Sequence, residues 1–246
     1  MSLTRVHFME IVKKQYIFKL KANIDSFSSL VGIQLLGLLF SLGGVGGMGT
    51  SSDNITINVK YYSSDLVIIF TMFWALSTGI TITTKPFRYN DFTFVTNRLS
   101  SNLSNVFFLL TASTIGGITA MLAGYFVKCL GYFIFEHQFY SFSIVANELF
   151  VGILVTILYV FCMSAFGYLV GTLVQLSKIF IGFIPILIFG SLFLDASLQR
   201  EPSLGNVYQF YFMEPSVALF IVKIVITTAL IFIAAISILN RMEVRR

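Results

Sequence analysis

Between Phe27 and Leu239 the chain enters an apolar run six times, and only the last of these, with Lys223, carries a charge away from its ends. No other feature constrains the fold as strongly. At 1.5 Å per residue, about 20 apolar residues match the roughly 30 Å hydrocarbon core of a bilayer. Inside lipid every backbone amide needs an internal partner, so each run must be helical. The runs predict spans at about 27–48, 66–84, 106–127, 146–170, 174–194 and 217–239, the fifth kinked at Pro185. The expected fold class is an all-α polytopic membrane protein with six transmembrane helices. Residues 1–25 read as an interfacial segment, 26–240 as the transmembrane domain and 241–246 as a short tail.

Composition narrows the functional classes. Hydrophobic residues make up 57% of the 246 positions and charged residues 11%, against about a quarter charged in soluble domains. The length leaves no room for a separate soluble domain. The net charge of +5 raises a nucleic-acid reading, but the basic residues are scattered among spans and their sidedness explains them better. With the amino terminus inside, twelve of the sixteen Lys and Arg residues fall on the inner side, and only Lys60, Lys128, Arg200 and Lys223 fall outside. The positive-inside rule then predicts both termini in the cytoplasm, with the chain multi-pass in the membrane. The first twenty-five residues lack a continuous apolar core with a small-residue cleavage site, which predicts targeting through the first membrane helix. Cys129 and Cys162 lie in or beside apolar runs and imply no disulfide framework.

Motifs for chemistry are absent. No Lys is followed by Ser or Thr, so there is no P-loop. His7 and His137 fall on opposite sides, which excludes a histidine metal centre. H-E-x-x-H and G-x-S-x-G do not occur. Asp65, Glu148 and Asp195 sit near outer ends, and Lys223 lies two turns inside, able to snorkel outward. An ion-coupled transporter places ionisable groups at the midplane. The expectation is a transport body that is no enzyme, binds no metal and draws its energy from elsewhere.

Several stretches have their own character. "RVHFMEIVKKQYIFKLKANI" (Arg5–Ile24) spaces Phe8, Ile11, Val12 and Tyr16 helically among Lys13, Lys14, Lys19 and Lys21. It predicts an amphipathic helix on the inner leaflet with its lysines at anionic headgroups, or a basic flank that orients span one. Ala112, Gly116, Ala120 and Gly124 form a small-residue stripe in span three, and Gly167 and Gly171 another in span four. Such stripes let helices approach closely, within this chain or at a dimer seam. The glycines of Ser41–Gly49 read as a frayed helix end or a hinge. Asn54–Tyr62 alternates apolar and polar residues like a strand. "GYFIFEHQFYSF" (Gly131–Phe142) and "VYQFYFM" (Val207–Met213) are aromatic clusters suited to a membrane boundary.

The connection between spans two and three is the most informative stretch. After Lys85-Pro86 come Phe87, Phe92, Phe94 and Leu99, with Arg88, Asp91 and Arg98 among them. Lipid does not hold such charges cheaply, and a plain loop needs no exposed aromatics. A cytoplasmic interfacial helix over about 87–101, offering its aromatics to another protein, satisfies both; an inner-leaflet anchoring loop is the alternative. Ser100, Ser101 or Ser104 would cap span three.

On these features the chain resembles bacterial type-2 ABC exporter permeases, which have six spans, an amphipathic amino-terminal helix and a cytoplasmic coupling helix between spans two and three. Phe94-Val95-Thr96-Asn97-Arg98-Leu99-Ser100 is similar to the coupling pattern, without the Leu-Pro that often precedes the arginine. The exit from span four, "GYLVGTLVQLSK" (Gly167–Lys178), and the aromatic outer segment before span six are also similar. The likeness extends over the whole chain and is closest to permeases of the staphylococcal phenol-soluble modulin exporter. It implies a permease subunit whose cargo is an amphipathic peptide. It implies docking to two copies of an ATPase subunit through Phe87, Arg88, Asp91, Phe92, Phe94, Arg98 and Leu99, with ATP and Mg held by that partner. It also implies a second permease subunit in a homodimer, with membrane lipid and no nucleic acid as the remaining surroundings.

Overall fold

A computed structural model describes residues 8–52, 55–87, 97–135, 146–198 and 203–241. Six of its helices are long and apolar enough to cross a membrane, and the protein is a multi-pass, predominantly α-helical membrane protein. In chain order the elements are α1 (Phe8–Ala22), α2 (Ile24–Ser41), strands β1 (Gly46–Ser52) and β2 (Ile55–Tyr61), α3 (Asp65–Thr83), α4 (Arg98–Phe135), α5 (Ala146–Leu176), α6 (Phe180–Ser197), α7 (Ser203–Phe212) and α8 (Val217–Arg241).

Helices α3 and α5 form the centre and share the most extensive contact. Helices α2 and α4 lie against α3, α4 and α8 against α5, and α1 along α4. The α3–α5 seam is built on glycine. A Cβ on Gly79 would strike the Ser164 carbonyl and Tyr168 nitrogen, one on Gly167 the Leu76 carbonyl, and one on Gly171 the Thr83 hydroxyl and Ile80 backbone. Lipid tails are as apolar as leucine, so close backbone approach supplies the attraction that exclusion of water cannot. The largest buried cluster joins Ile82, Phe108, Leu109, Tyr168, Phe232 and Leu239, with Tyr16 and Leu20 of α1 against it.

Four boundaries depart from the sequence expectation. Span one, expected over 27–48, is helical only from Ile24 to Ser41. The five glycines that follow disfavour helix by about 1 kcal/mol each, and Gly44 takes a positive φ of 91°. The chain turns there into β1, which pairs antiparallel with β2 from Gly46–Tyr61 to Ser52–Ile55. The hairpin is a departure from an all-α fold, and β2 coincides with the alternating stretch. Span three is the 38-residue α4, about 57 Å long, so Arg98 and Leu99 belong to its first turn and not to a separate coupling helix. Asn97 precedes it, and its side-chain oxygen faces the Leu99 nitrogen at 3.5 Å. Ser100 and Ser104 do not cap; they donate back to the carbonyls of Asn97 and Ser101, satisfying their hydroxyls within the helix. Residues 174–176 end α5, and the fifth span begins at Phe180 after a tight turn in which Phe180 N donates to Ser177 O.

Candidate functional site

The end of the bundle where α3, α5 and α8 finish and α4 begins gathers most of the described polar chemistry. Exposed Lys13, Lys14 and Lys21 of α1 lie there with exposed Lys85, Lys178 and Arg241; Lys14 pairs with Glu10 at 2.8 Å. Lys19 departs from the expected headgroup position. It is 4% exposed, and its ammonium donates to Asn105 Oδ1, to the Ser101 carbonyl at 3.1 Å and to Ser101 Oγ at 3.4 Å. The physical reason is register: α1 turns Val12, Gln15 and Lys19 inward, a spacing of three and four residues that shares one helical face.

The network continues across the bundle. Asn105 Nδ2 donates to the Tyr168 hydroxyl at 3.4 Å, and that hydroxyl donates to Asn102 Oδ1 at 3.2 Å. Lys19, Asn102, Asn105 and Tyr168 thereby join α1, α4 and α5. Tyr16 shares a 2.8 Å hydrogen bond with Thr111. Both amide atoms of Gln15, 3% exposed, are buried without a hydrogen-bond partner, a cost of about 1–3 kcal/mol per group.

The two roots of the connection between spans two and three reach this junction. Phe87 shares a small cavity with Phe18, Lys19, Asn23, Ile82 and Asn105. Arg98 donates to the Asn240 carbonyl of α8 at 3.3 Å, and Leu99 is 48% exposed. Arg88, Asp91, Phe92 and Phe94 lie outside the described residues.

The small residues pack within this chain. Ala112 and Ala120 are buried. A Cβ on Gly116 would meet Thr71 at 3.2 Å and Trp74 at 3.5 Å, and one on Gly124 would meet Ser64 at 2.6 Å. Sequence reasoning passed over Gly79, although Thr71, Ala75, Gly79 and Thr83 stand at four-residue spacing along α3 and are all buried.

It also passed over Gln34, the one amide in span one. Its Nε2 lies 3.2 Å from Thr71 Oγ1, 3.1 Å from the Gly116 carbonyl and 2.9 Å from Thr119 Oγ1, tying α2, α3 and α4. Such bonds within a bundle average about 0.6 kcal/mol. At the opposite end Lys223 reaches back past the start of α8, where it is paired with Glu214 and sits 4.2 Å from the Phe210 ring centre. Tyr159 donates to the Tyr211 carbonyl at 3.0 Å, and Tyr211 bonds Thr227 at 2.9 Å. These contacts lay the end of α7 against α5 and α8.

The arrangement therefore offers a polar junction at one end, a neutral tie in the middle and a latched aromatic segment at the other. Among the described residues no group of three or more His, Cys, Asp or Glu side chains is placed to hold a metal. No family model, curated protein or solved structure matches this chain.

Proposed function

We propose that the chain is the permease subunit of an ATP-driven ABC exporter, forming the path for an amphipathic or hydrophobic substrate, a peptide of the phenol-soluble modulin kind. One observation carries the reading: both roots of the charged, aromatic connection enter the bundle where helices are tied to one another. Phe87 meets α1 in a shared cavity, and Arg98 holds the end of α8. A push on residues 87–101 would move α1, α4 and α8 together and reach α5 through Tyr168. In this reading the basic end is cytoplasmic, as the Lys and Arg asymmetry favours. Two permease subunits form the pathway in the bacterial cytoplasmic membrane, and two separate ATPase subunits bind ATP and Mg beneath them. The permease itself hydrolyses nothing.

Exporters of another drug, antimicrobial peptide or lipid-like cargo share this architecture. An ion-coupled secondary transporter is the second reading, supported by the polar tie at Gln34. Co-purification separates them. The permease should bring down a small soluble ATPase from its host, and Phe94→Ala with Arg98→Glu should abolish this while insertion and thermal stability persist. Unchanged co-purification in the double variant would refute docking through the connection, and ion-gradient-driven uptake in proteoliposomes without nucleotide would favour the second reading.

A further inference from the structure

We propose that α1 is a lid, hinged at Asn23, that lifts from the start of α4 and admits water to the polar seam beneath it. The proposal does not depend on the exporter reading. Asn23 is the single non-helical residue between α1 and α2, with φ −109° and ψ 32°. Its backbone nitrogen and Nδ2 both reach the Lys19 carbonyl, at 3.0 and 2.8 Å, so the joint is one residue long.

The most deeply buried residues of α1 are mixed in polarity. Val12 is apolar, but Gln15 and Lys19 are not, while Ile17 and Phe18 are exposed. Gln15 has no partner for either amide atom in the closed position. Lifting would give Gln15 water or headgroups, and Lys19 would exchange its bonds to Asn105 and Ser101 for the same. Val12, Leu20 and Tyr16, with its bond to Thr111, hold the lid closed, and the Lys19 bonds add to them.

The surface under the lid is suited to water. Ser101, Asn102, Asn105 and the Tyr168 hydroxyl line it. Next to Lys19, Asn23 and Asn105 lies a cavity of about 20 Å³, enough for one water and too small for a headgroup.

The test uses the permease in nanodiscs with Cys129→Ser and Cys162→Ser. Ser104→Cys is the reporter, a near-isosteric change at a fully buried site on the helical face of Ser101 and Thr111. A water-soluble maleimide should label it measurably. Lys19→Ala should speed labelling about tenfold, and Gln15→Leu, which gives the lid an apolar face, should slow it at least threefold. Ala120→Cys, also fully buried, sets the background. Labelling at background in every variant, or no slowing by Gln15→Leu, would overturn the lid. Spin labels at exposed Lys14→Cys and Lys178→Cys give an independent readout, in which two distance populations are expected and a single narrow one would overturn it.

Discussion

Helices α3 and α6 are both apolar spans of nearly equal length, yet they live in different surroundings. Helix α3 buries eight of its nineteen residues, and its Gly79 meets the backbone of α5 without room for a methyl group. Helix α6 buries none. Ile179 just before it, and Phe189 and Phe193 within it, are more than two-thirds exposed, and its Gly182 and Gly190 have nothing within 4 Å. Hydrophobicity does not separate the two. Small residues with a small-residue partner do, because in a membrane only close approach and hydrogen bonds favour protein over lipid as a neighbour. Helix α6 presents bulky side chains on all sides, and lipid serves them as well as protein would.

The comparison can be broken most directly at Gly167. Gly167→Leu must push α5 away from the Leu76 carbonyl, a cost at the upper end of overpacking, about 3 kcal/mol or more. Loss of monodisperse protein in detergent is expected, and a wild-type melting temperature would show that the seam is not closely seated. Tyr168→Phe is gentler, since it removes only the hydroxyl between Asn102 and Asn105. It should cost about 1 kcal/mol, read as a lowered melting temperature with unchanged oligomeric state. Gly190→Leu on α6 should leave stability within about 0.5 kcal/mol. A changed oligomeric state in that variant would sharpen the contrast, assigning α6 to a second copy in place of lipid.

How much could be read ahead varied with the kind of feature. The six apolar runs were visible because hydrocarbon demands length and apolarity, both local properties. The end of span one was misjudged because Leu42–Gly49 is apolar enough for lipid, yet its glycines favour a turn and strand over helix. The candidate docking residues were recognised by composition, but Arg98 and Leu99 proved to lie in the first turn of α4. Lys19 looked like its neighbours Lys14 and Lys21. Helical spacing assigns it a face but does not say what that face meets, so its burial against Asn105 was hidden. Gln34 was conspicuous as a lone amide, but its acceptors on α3 and α4 come from positions 37 to 85 residues away.

Residue order alone marked out six helices long and apolar enough to cross a membrane, because that is a transfer energy summed over a short window. Which crossings touch, which glycines are indispensable and which lysine is buried came from the assembled bundle. Those outcomes depend on contacts between distant segments, and a one-dimensional pattern of polarity does not record them.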